Sequence, residues 1–247
     1  MSPIVTHAGV DLAYAEQGAG APALLIHGLA ADLAALEPLA ARIAGAAGGA
    51  RVITYSRRGY AGSGAPEPYL GTTVAEQAED AAALVTTLAA APACVMGEDF
   101  GALIALDLLI RHRDLVRAAV LVDPPLYALA RDATRELSDW QERLREAVAE
   151  GGPSAGVAAH LAGRGADADR RRAEAAHAAF FADVAGLTSL PVTRAQLRAI
   201  DVPVAVVTGG ASSPATVEAA DALAGLIPGA ARTLDGDIAG AVPQPPR

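Results

Sequence analysis

Residues 93–106 read ACVMGEDFGALIAL, and this stretch decides the fold. The apolar run ACVM predicts a buried strand, and the apolar run at 102–110 predicts a helix with little polar surface. Gly97 and Gly101 flank the segment between them, where a Cβ would collide with the backbone of a sharp strand-to-helix turn. Asp99 therefore lies at the tip of the turn, where the positive end of the following helix favours an anionic side chain.

Short apolar runs alternate with helical patterns through the first half of the chain. This alternation predicts a mostly parallel, doubly wound sheet with helices on both faces. Active sites of such sheets lie at the carboxyl ends of the strands. His27, Asp99 and Asp123 each follow a predicted strand, so we expect them to converge on one cleft. The predicted strands are 4–5, 10–15, 23–26, 51–55, 93–96 and 118–122, and the predicted helices are 36–44, 74–89 and 102–110.

The second half of the chain has a different pattern. From residue 126 to 200 the periodicity is purely helical, after which an apolar strand resumes the sheet. We therefore predict a core formed by residues 1–125 and 201–247, with a helical insertion at 126–200. The clearest predicted helices there are 137–149 and 170–184, followed by a strand at 202–208, a helix at 217–226 capped by Thr216, and a strand at 230–234.

The segment Gly97-Glu98-Asp99-Phe100-Gly101 resembles the nucleophile elbow of the α/β-hydrolase superfamily. Its aspartate version, Gly-x-Asp-aromatic-Gly, resembles the elbow of the epoxide hydrolases and haloalkane dehalogenases. The pair His27-Gly28 after a predicted strand, and the loop SRRGYAGSG at 56–64, resemble two further loops of that superfamily. We interpret the arginines of the second loop as scaffold. The resemblance runs in order from Ile4 to Leu234, and it implies the α/β-hydrolase fold with a helical cap at 126–200.

The resemblance also implies roles for residues of the elbow and of the first loop. Asp99 would attack substrate or act as a base, and the backbone N–H groups of Leu29 and Phe100 would stabilise negative charge on a substrate oxygen. His27 and Gly28 would shape that loop, and we interpret His27 as bracing it rather than transferring protons. Tyr127 near the cap is a candidate proton donor to an opening oxygen. Trp140 in the cap is either a packing residue or a substrate contact.

Two features of the family are missing from this sequence. The stretch after the last predicted strand, Leu234–Gly240, contains no histidine, although the family places its water-activating histidine there. The stretch Gly209–Pro214, where the family often has its acid, contains no carboxylate. Asp123 matches the alternative position of that acid in some dehalogenases.

Three hypotheses remain open at this point. In the first, Asp99 is a nucleophile or base in hydrolysis, and His160, His177 or Asp237 carries the proton. In the second, Asp99 and Glu98 transfer protons in an isomerisation, elimination or cyclisation, which requires only a carboxylate with a raised pKa. In the third, the chain is an inactive homologue that binds a ligand.

Composition excludes several other classes of function. The chain of 247 residues carries a formal charge of −9 and has no dense basic run, so nucleic acid is not an expected partner. It contains no lysine, which excludes Schiff-base chemistry on the protein. No spacing of His, Asp and Glu indicates a metal site, and no loop indicates a dinucleotide or another cofactor.

The remaining expectations concern location and partners. The lone Cys94 lies in an apolar strand, so we expect a buried, inert thiol and no internal disulfide. No signal-peptide pattern or membrane-spanning run is present, which favours a cytoplasmic protein without a membrane partner. The expected partner is a small apolar or moderately polar organic substrate. The oligomeric state stays open, a homodimer included.

Overall fold

The computed structural model describes residues 2–46, 48–131, 133–162 and 167–234. Eight strands in this part of the chain form one sheet in the order β1-β2-β4-β3-β5-β6-β7-β8. The pairs β1·β2 and β2·β4 are antiparallel, and all the other pairs are parallel. The strands are β1 (Ile4–His7), β2 (Val10–Gln17), β3 (Ala21–Ile26), β4 (Ala50–Tyr55), β5 (Ala93–Glu98), β6 (Val116–Val122), β7 (Val204–Thr208) and β8 (Ala231–Leu234).

Helices cover both faces of the sheet, as the alternating sequence pattern predicts. Side chains of β3 show the two layers: Leu24 and Ile26 pack in the core shared with α2 and α3, whereas Leu25 packs in the core shared with α1. Alternate residues of a strand point to opposite faces, so a continuous apolar run is buried on both. The helices are α1 (Leu33–Ala44), α2 (Val74–Thr87), α3 (Phe100–Arg111), α4 (Ala133–Gly151), α5 (Pro153–His160), α6 (Asp167–Ala175), α7 (His177–Gly186), α8 (Arg194–Arg198) and α9 (Pro214–Leu226).

Most helix positions agree with the sequence pattern, and two details differ. The predicted helix at 170–184 is two helices, α6 and α7, which meet at Ala176. Alanines around that break carry no turn signal, so periodicity alone could not locate it. Ser213, not Thr216, caps α9: its hydroxyl accepts a hydrogen bond from the Thr216 N–H, and a proline follows it at the first helical position.

The described part of residues 126–200, here called the helical insertion, contains helices α4 to α8 and a short 3₁₀ turn at Tyr127–Leu129. It leaves the sheet after β6 and returns to it at β7. The division of the chain into a core and a cap at these bounds stays a prediction. None of the helices in the described ranges is both long and apolar enough to span a membrane.

Candidate active site

The turn between β5 and α3 holds Asp99 in a backbone conformation that side chains rarely adopt, with φ 52° and ψ −121°. The residues two positions before and two positions after Asp99 have to be glycines. A Cβ on Gly97 would lie 2.0 Å from the Gly101 carbonyl oxygen, and a Cβ on Gly101 would lie 2.4 Å from the Ile26 carbonyl oxygen. The steric argument made from the sequence is therefore confirmed, and the strained turn indicates a functional position.

A cavity of about 830 Å³ lies in front of this turn. That volume is within the usual range for small-molecule sites. Three carboxylates from the ends of β5 and β6 line it, namely Glu98, Asp99 and Asp123. The sequence predicts Asp99 and Asp123 here together with His27, but His27 does not line the cavity. Gly28, Leu29, Tyr127 and Trp140 line it as well.

The two carboxylate oxygens of Asp99 have different environments. Oδ2 accepts a hydrogen bond of 3.1 Å from the Leu29 backbone N–H. Gly28 permits this approach, because a Cβ there would lie 2.9 Å from the Asp99 Cβ. Oδ1 accepts no hydrogen bond from any residue that the structure describes. One oxygen is thus held by the loop after β3, and the other is available to a substrate.

Protein surrounds Asp99 on all sides except the cavity, and this burial raises the pKa of Asp99 to about 7. The charges of Glu98 and Asp123 raise the pKa further, whereas the Leu29 N–H and Arg57 lower it. Burial also raises the pKa of Glu98, with a contribution from Asp123. Glu98 reaches water in the cavity. Near neutral pH Asp99 can therefore both hold and accept a proton.

Asp123 joins the loops that follow β6 and β7. Its Oδ1 accepts a hydrogen bond from the Ser212 hydroxyl, and the Ser212 oxygen accepts one of 2.8 Å from the Gly209 N–H. The loop at 209–214 contains no carboxylate, and it contributes this hydroxyl to the cavity instead. Asp123 is therefore oriented by a neutral donor and has a side-chain environment unlike that of Asp99.

His27 and Phe100 were expected among the substrate-binding residues, but neither lines the cavity. The His27 ring is fully buried: Nε2 accepts a 2.9 Å hydrogen bond from the Arg57 N–H, and Nδ1 donates one of 2.9 Å to the Gly28 carbonyl. Burial and the charge of Arg57 hold the pKa of His27 well below its usual value. The ring thus stays neutral and braces the loop. The Phe100 ring packs on the Arg57 guanidinium at 5.0 Å, while its backbone N–H begins α3.

His160 and His177 of the helical insertion differ in their position relative to the cavity. His177 begins α7 and does not line the cavity, so its predicted catalytic role lacks structural support. A sequence does not reveal which side of a short alanine-rich helix faces a cleft. His160 does line the cavity, and its Nδ1 accepts a hydrogen bond of 3.3 Å from the Trp140 Nε1–H. An indole nitrogen can only donate, so in the neutral His160 ring the proton lies on Nε2. Asp237 lies outside the described residues.

Tyr127 and Trp140 occupy the side of the cavity formed by the helical insertion. Burial raises the pKa of the Tyr127 hydroxyl, and the negative charges of Asp99 and Glu136 raise it further. Tyr127 and Asp99 line the same cavity, so the pKa of Tyr127 depends on the ionisation of Asp99. Trp140 is partly buried, and its Nε1–H donates the hydrogen bond to His160.

Some cavity residues were not predicted as site residues. Spacing could have indicated part of the set, because Glu136, Trp140 and Arg143 recur on one face of α4 and all line the cavity. The others lie in separate loops and helices that only the folded chain brings together. The polar cavity residues that were not predicted are Asp32, Glu136, Arg143, Asp169, Arg170, Arg172, Ser212, Ser213 and Thr216.

A buried charge network supports the loop that carries Leu29. The guanidinium of Arg57 donates to the carbonyls of His27, at 3.1 Å, and Gly28, at 2.9 Å. It forms an ion pair of 2.7 Å with Asp183 of α7 and a hydrogen bond of 2.7 Å with Gln77 of α2. Both charged side chains are inaccessible to water. Arg57 is therefore scaffold, as predicted, and links the helical insertion to the loop that holds Asp99.

The other expectations concern the thiol and metals. Cys94 is buried, and burial raises the pKa of its thiol to about 11, so the prediction of a buried, inert cysteine agrees with the structure. In the ranges that the structure describes, no three His, Cys, Asp or Glu side chains are grouped so that they could hold a metal ion.

Comparison with known proteins gives the same superfamily. A sequence profile described as alpha/beta hydrolase fold matches residues 22–163. A 2-(acetamidomethylene)succinate hydrolase from Mesorhizobium japonicum is 32% identical over 174 residues, which are 68% of this chain and 59% of that protein. The hydrolase YraK from Bacillus subtilis is 33% identical over 139 residues, which are 56% of this chain and 50% of that protein. The chain spans about half the length of the curated relatives it matches.

Solved structures resemble the fold over nearly the whole chain. An alpha/beta hydrolase from Sphaerobacter thermophilus has a TM-score of 0.75 and 27% identity, with 94% of this chain and 91% of that chain covered. The enol-lactonase from Burkholderia xenovorans has a TM-score of 0.72 and 24% identity, with 94% and 90% covered, and shows the fold alone. Two observations support one family. The sheet has eight strands and is mostly parallel, and the profile matches more than half of the sequence. The chain belongs to the α/β-hydrolase fold family.

Proposed function

We propose that this chain is a hydrolase of small organic molecules, with the Asp99 carboxylate as its nucleophile and epoxides as its first substrate class. One observation carries the proposal: the elbow presents Asp99 to the cavity with Oδ2 on the Leu29 N–H and Oδ1 open. Attack by a carboxylate on an ester carbonyl would give a reactive anhydride. Attack on a saturated carbon gives a stable ester intermediate, so an aspartate at this position favours ring opening at a C–O bond.

In the first step, Oδ1 of Asp99 forms a bond to a ring carbon and the C–O bond breaks. The electrons of that bond pass to the ring oxygen, which takes the proton of the Tyr127 hydroxyl. Ester formation removes the charge of Asp99, and this charge raises the pKa of Tyr127 in the resting site. The hydroxyl therefore becomes a stronger acid when the ring oxygen needs a proton.

In the second step, water adds to the Cγ carbon of the Asp99 ester and Glu98 takes its proton. Negative charge develops on Oδ2, which the Leu29 N–H already holds at 3.1 Å. Collapse of this intermediate breaks the bond from Cγ to Oδ1, and the added hydroxyl gives its proton to that leaving oxygen, so that the diol is released and the carboxylate is restored. The proton on Glu98 then returns to the Tyr127 oxygen. In sum one epoxide and one water give one diol, with Glu98 in the role that the family assigns to a histidine.

A single-turnover experiment in heavy-oxygen water tests the covalent route. Excess protein is mixed with styrene oxide, or with another epoxide that it turns over, and the diol is analysed by mass spectrometry. The first product should contain no heavy oxygen, because its new hydroxyl oxygen comes from Asp99. The label should instead appear in the peptide that contains Asp99. A labelled first product would mean that water attacks the ring directly, and the nucleophile assignment would be wrong.

The pH dependence of kcat/KM is expected to follow the ionisation of Asp99. Only the carboxylate form attacks, and its pKa is raised to about 7, so kcat/KM should rise with pH through neutrality and then level off. The Asp123 charge contributes to that raised pKa, so Asp123→Asn should move the midpoint of the profile to lower pH. A profile that falls as the pH rises through neutrality would instead assign the essential form to a protonated acid.

A second function deserves testing because a pKa of about 7 suits an acid–base group and the tail segment 234–240 lacks the family's histidine. In that case Asp99 and Glu98 would transfer protons in an isomerisation, elimination or cyclisation. Such a reaction would incorporate solvent deuterium at carbon without adding water to the product. Product mass in deuterated water separates it from hydrolysis.

A further inference from the structure

Three arginines of the helical insertion line the cavity, and their partners differ. Arg172 is neutralised, since its Nε donates to Asp32 at 2.7 Å and its Nη2 donates to Asp169 at 2.6 Å. Arg143 and Arg170 form no hydrogen bond or ion pair with any part of the chain that the structure describes. The Nε of Arg170 is also shielded from water without an acceptor. The wall of the cavity on this side therefore has two cations for which the described part of the chain supplies no counter-ion.

Arg143 and Arg170 lack partners among the described residues, which is unexpected in a chain with an excess of acidic side chains. Acidic residues outnumber basic ones by 28 to 19, so acceptors for a guanidinium are plentiful. A buried donor without an acceptor costs free energy, and native structures usually pair it with protein, water or a ligand. The shielded Nε of Arg170 therefore fits an anion that arrives from outside the protein. Arg143 is exposed and lines the same cavity, so it is a second donor available to that anion.

Carboxylates of the cavity are already accounted for by other contacts. Arg172 neutralises Asp32 and Asp169. Asp123 accepts from the Ser212 hydroxyl, and Glu136 accepts from the Ala215 N–H. The remaining pair at the elbow, Glu98 and Asp99, has raised pKa values. No cavity carboxylate among the described residues thus serves as the counter-ion of Arg143 or Arg170.

We propose that Arg143 and Arg170 form a carboxylate-binding subsite, so that the substrate is an organic acid. The planar guanidinium group matches a carboxylate with two parallel hydrogen bonds. Trp140 lies one turn before Arg143 on α4 and offers an apolar wall to the body of such a substrate. The inference rests on the proposed function for the position of the reacting carbon, but binding of the acid group does not depend on catalysis.

The two sides of the cavity would also orient this substrate. Its carboxylate is attracted to α4 and α6 of the helical insertion and repelled by Glu98, Asp99 and Asp123 at the ends of β5 and β6. The uncharged end is therefore directed towards the elbow, where Oδ1 of Asp99 is open. Electrostatics would in this way select the direction in which a substrate with one charged end enters.

Binding is tested in the Asp99→Asn background, in which the proposed chemistry cannot proceed. The probes are benzoate and hexanoate, with benzamide and hexanamide as uncharged matches and inorganic phosphate as a competing oxyanion. The test variant is R143Q/R170Q. The control variant is R135Q/R171Q, which removes the same charge from the same two helices at exposed positions outside the cavity. Isothermal titration calorimetry measures affinity, and a thermal melt confirms that each variant is folded.

We expect a carboxylate probe to bind the parent and R135Q/R171Q equally, and to bind R143Q/R170Q at least about 10-fold more weakly. Its amide should bind weakly to all three. The inference is wrong if neither carboxylate binds, if R143Q/R170Q keeps the affinity, if the amide binds as well as the acid, or if phosphate binds as tightly as the carboxylates. Failure of the proposed function would appear elsewhere, as unchanged turnover in Asp99→Asn.

Discussion

Asp99→Asn should lower kcat for the best epoxide substrate on the order of 10³-fold or more, because the amide oxygen is a far weaker nucleophile than a carboxylate. The substitution keeps the shape of the side chain, and the Leu29 N–H can still donate to the amide oxygen. Steady-state kinetics measures the loss. Asp114→Asn, at an exposed carboxylate after α3, is the matched control and should leave kcat unchanged. Equal activity of the two variants would remove Asp99 from the mechanism.

The same variant should be more stable than the parent protein above neutral pH. The folded state raises the pKa of Asp99 from its ordinary value of 3.8 to about 7. Between these values the folded state keeps a proton that the unfolded chain has released, so stability falls as the pH rises through this window. Asn has no such proton, and at pH 8 the variant should gain roughly 1–2 kcal/mol after allowance for the water in the cavity.

Urea unfolding at two pH values measures this effect. Near pH 4 both proteins carry an uncharged side chain at position 99 when folded, so their free energies of unfolding should be similar. A variant that is less stable than the parent at pH 8 would mean that the carboxylate is stabilised by its surroundings. In that case burial of the Asp99 charge would not be a cost accepted for catalysis.

The sequence predicted the features that local sterics determine. Gly97 and Gly101 enclose residues 98–100 between a strand run and a helix run, and a turn with so little space for a Cβ can adopt few backbone conformations. Strand runs at regular intervals placed Asp99 and Asp123 at the same edge of the sheet. The tight turn between β5 and α3 and the mostly parallel sheet followed from these patterns without any knowledge of long-range contacts.

Contacts between distant segments could not be predicted in the same way. His160 and His177 both lie in alanine-rich segments with a helical pattern, yet only His160 lines the cavity. The pairing of Arg172 with Asp32 joins residues 140 positions apart, and no sequence pattern indicates it. Sequence patterns report burial along one element, whereas the charge balance of a cavity depends on how several elements meet.

Asp183→Asn should destabilise the fold by about 3–5 kcal/mol, because it leaves the buried charge of Arg57 without a counter-ion. Such a loss is a large part of the total stability of a typical domain. Asp183 also accepts hydrogen bonds of 2.7 Å from the Tyr60 hydroxyl and from Gln77 Nε2. Burial opposes the charge of Arg57, and Asp183 offsets that effect in the native fold. The guanidinium still stays charged when its partner is removed, because arginine is protonated in proteins at all ordinary pH values.

Denaturant unfolding measures this loss, and two comparisons make the result specific. Asp201→Asn removes one partner of the exposed pair Arg113–Asp201 and should change stability by less than about 1 kcal/mol. The double variant R57M/D183L removes both buried charges, so it should recover part of the stability lost by Asp183→Asn. Equal effects of the buried and the exposed substitution would show that the Arg57 charge finds water or another acceptor.

The network also predicts a kinetic effect in the Asp183→Asn molecules that remain folded. Arg57 holds the carbonyls of His27 and Gly28, and the next residue, Leu29, donates to Asp99 Oδ2. A guanidinium released from Asp183 can move away from these carbonyls, so the Leu29 N–H would be less well placed for the oxyanion of the second step. Hydrolysis of the ester should slow more than its formation, and the covalent intermediate should accumulate in Asp183→Asn but not in Asp201→Asn. Rapid quench followed by mass spectrometry of the intact protein detects this intermediate, and its absence would limit Asp183 to a role in stability.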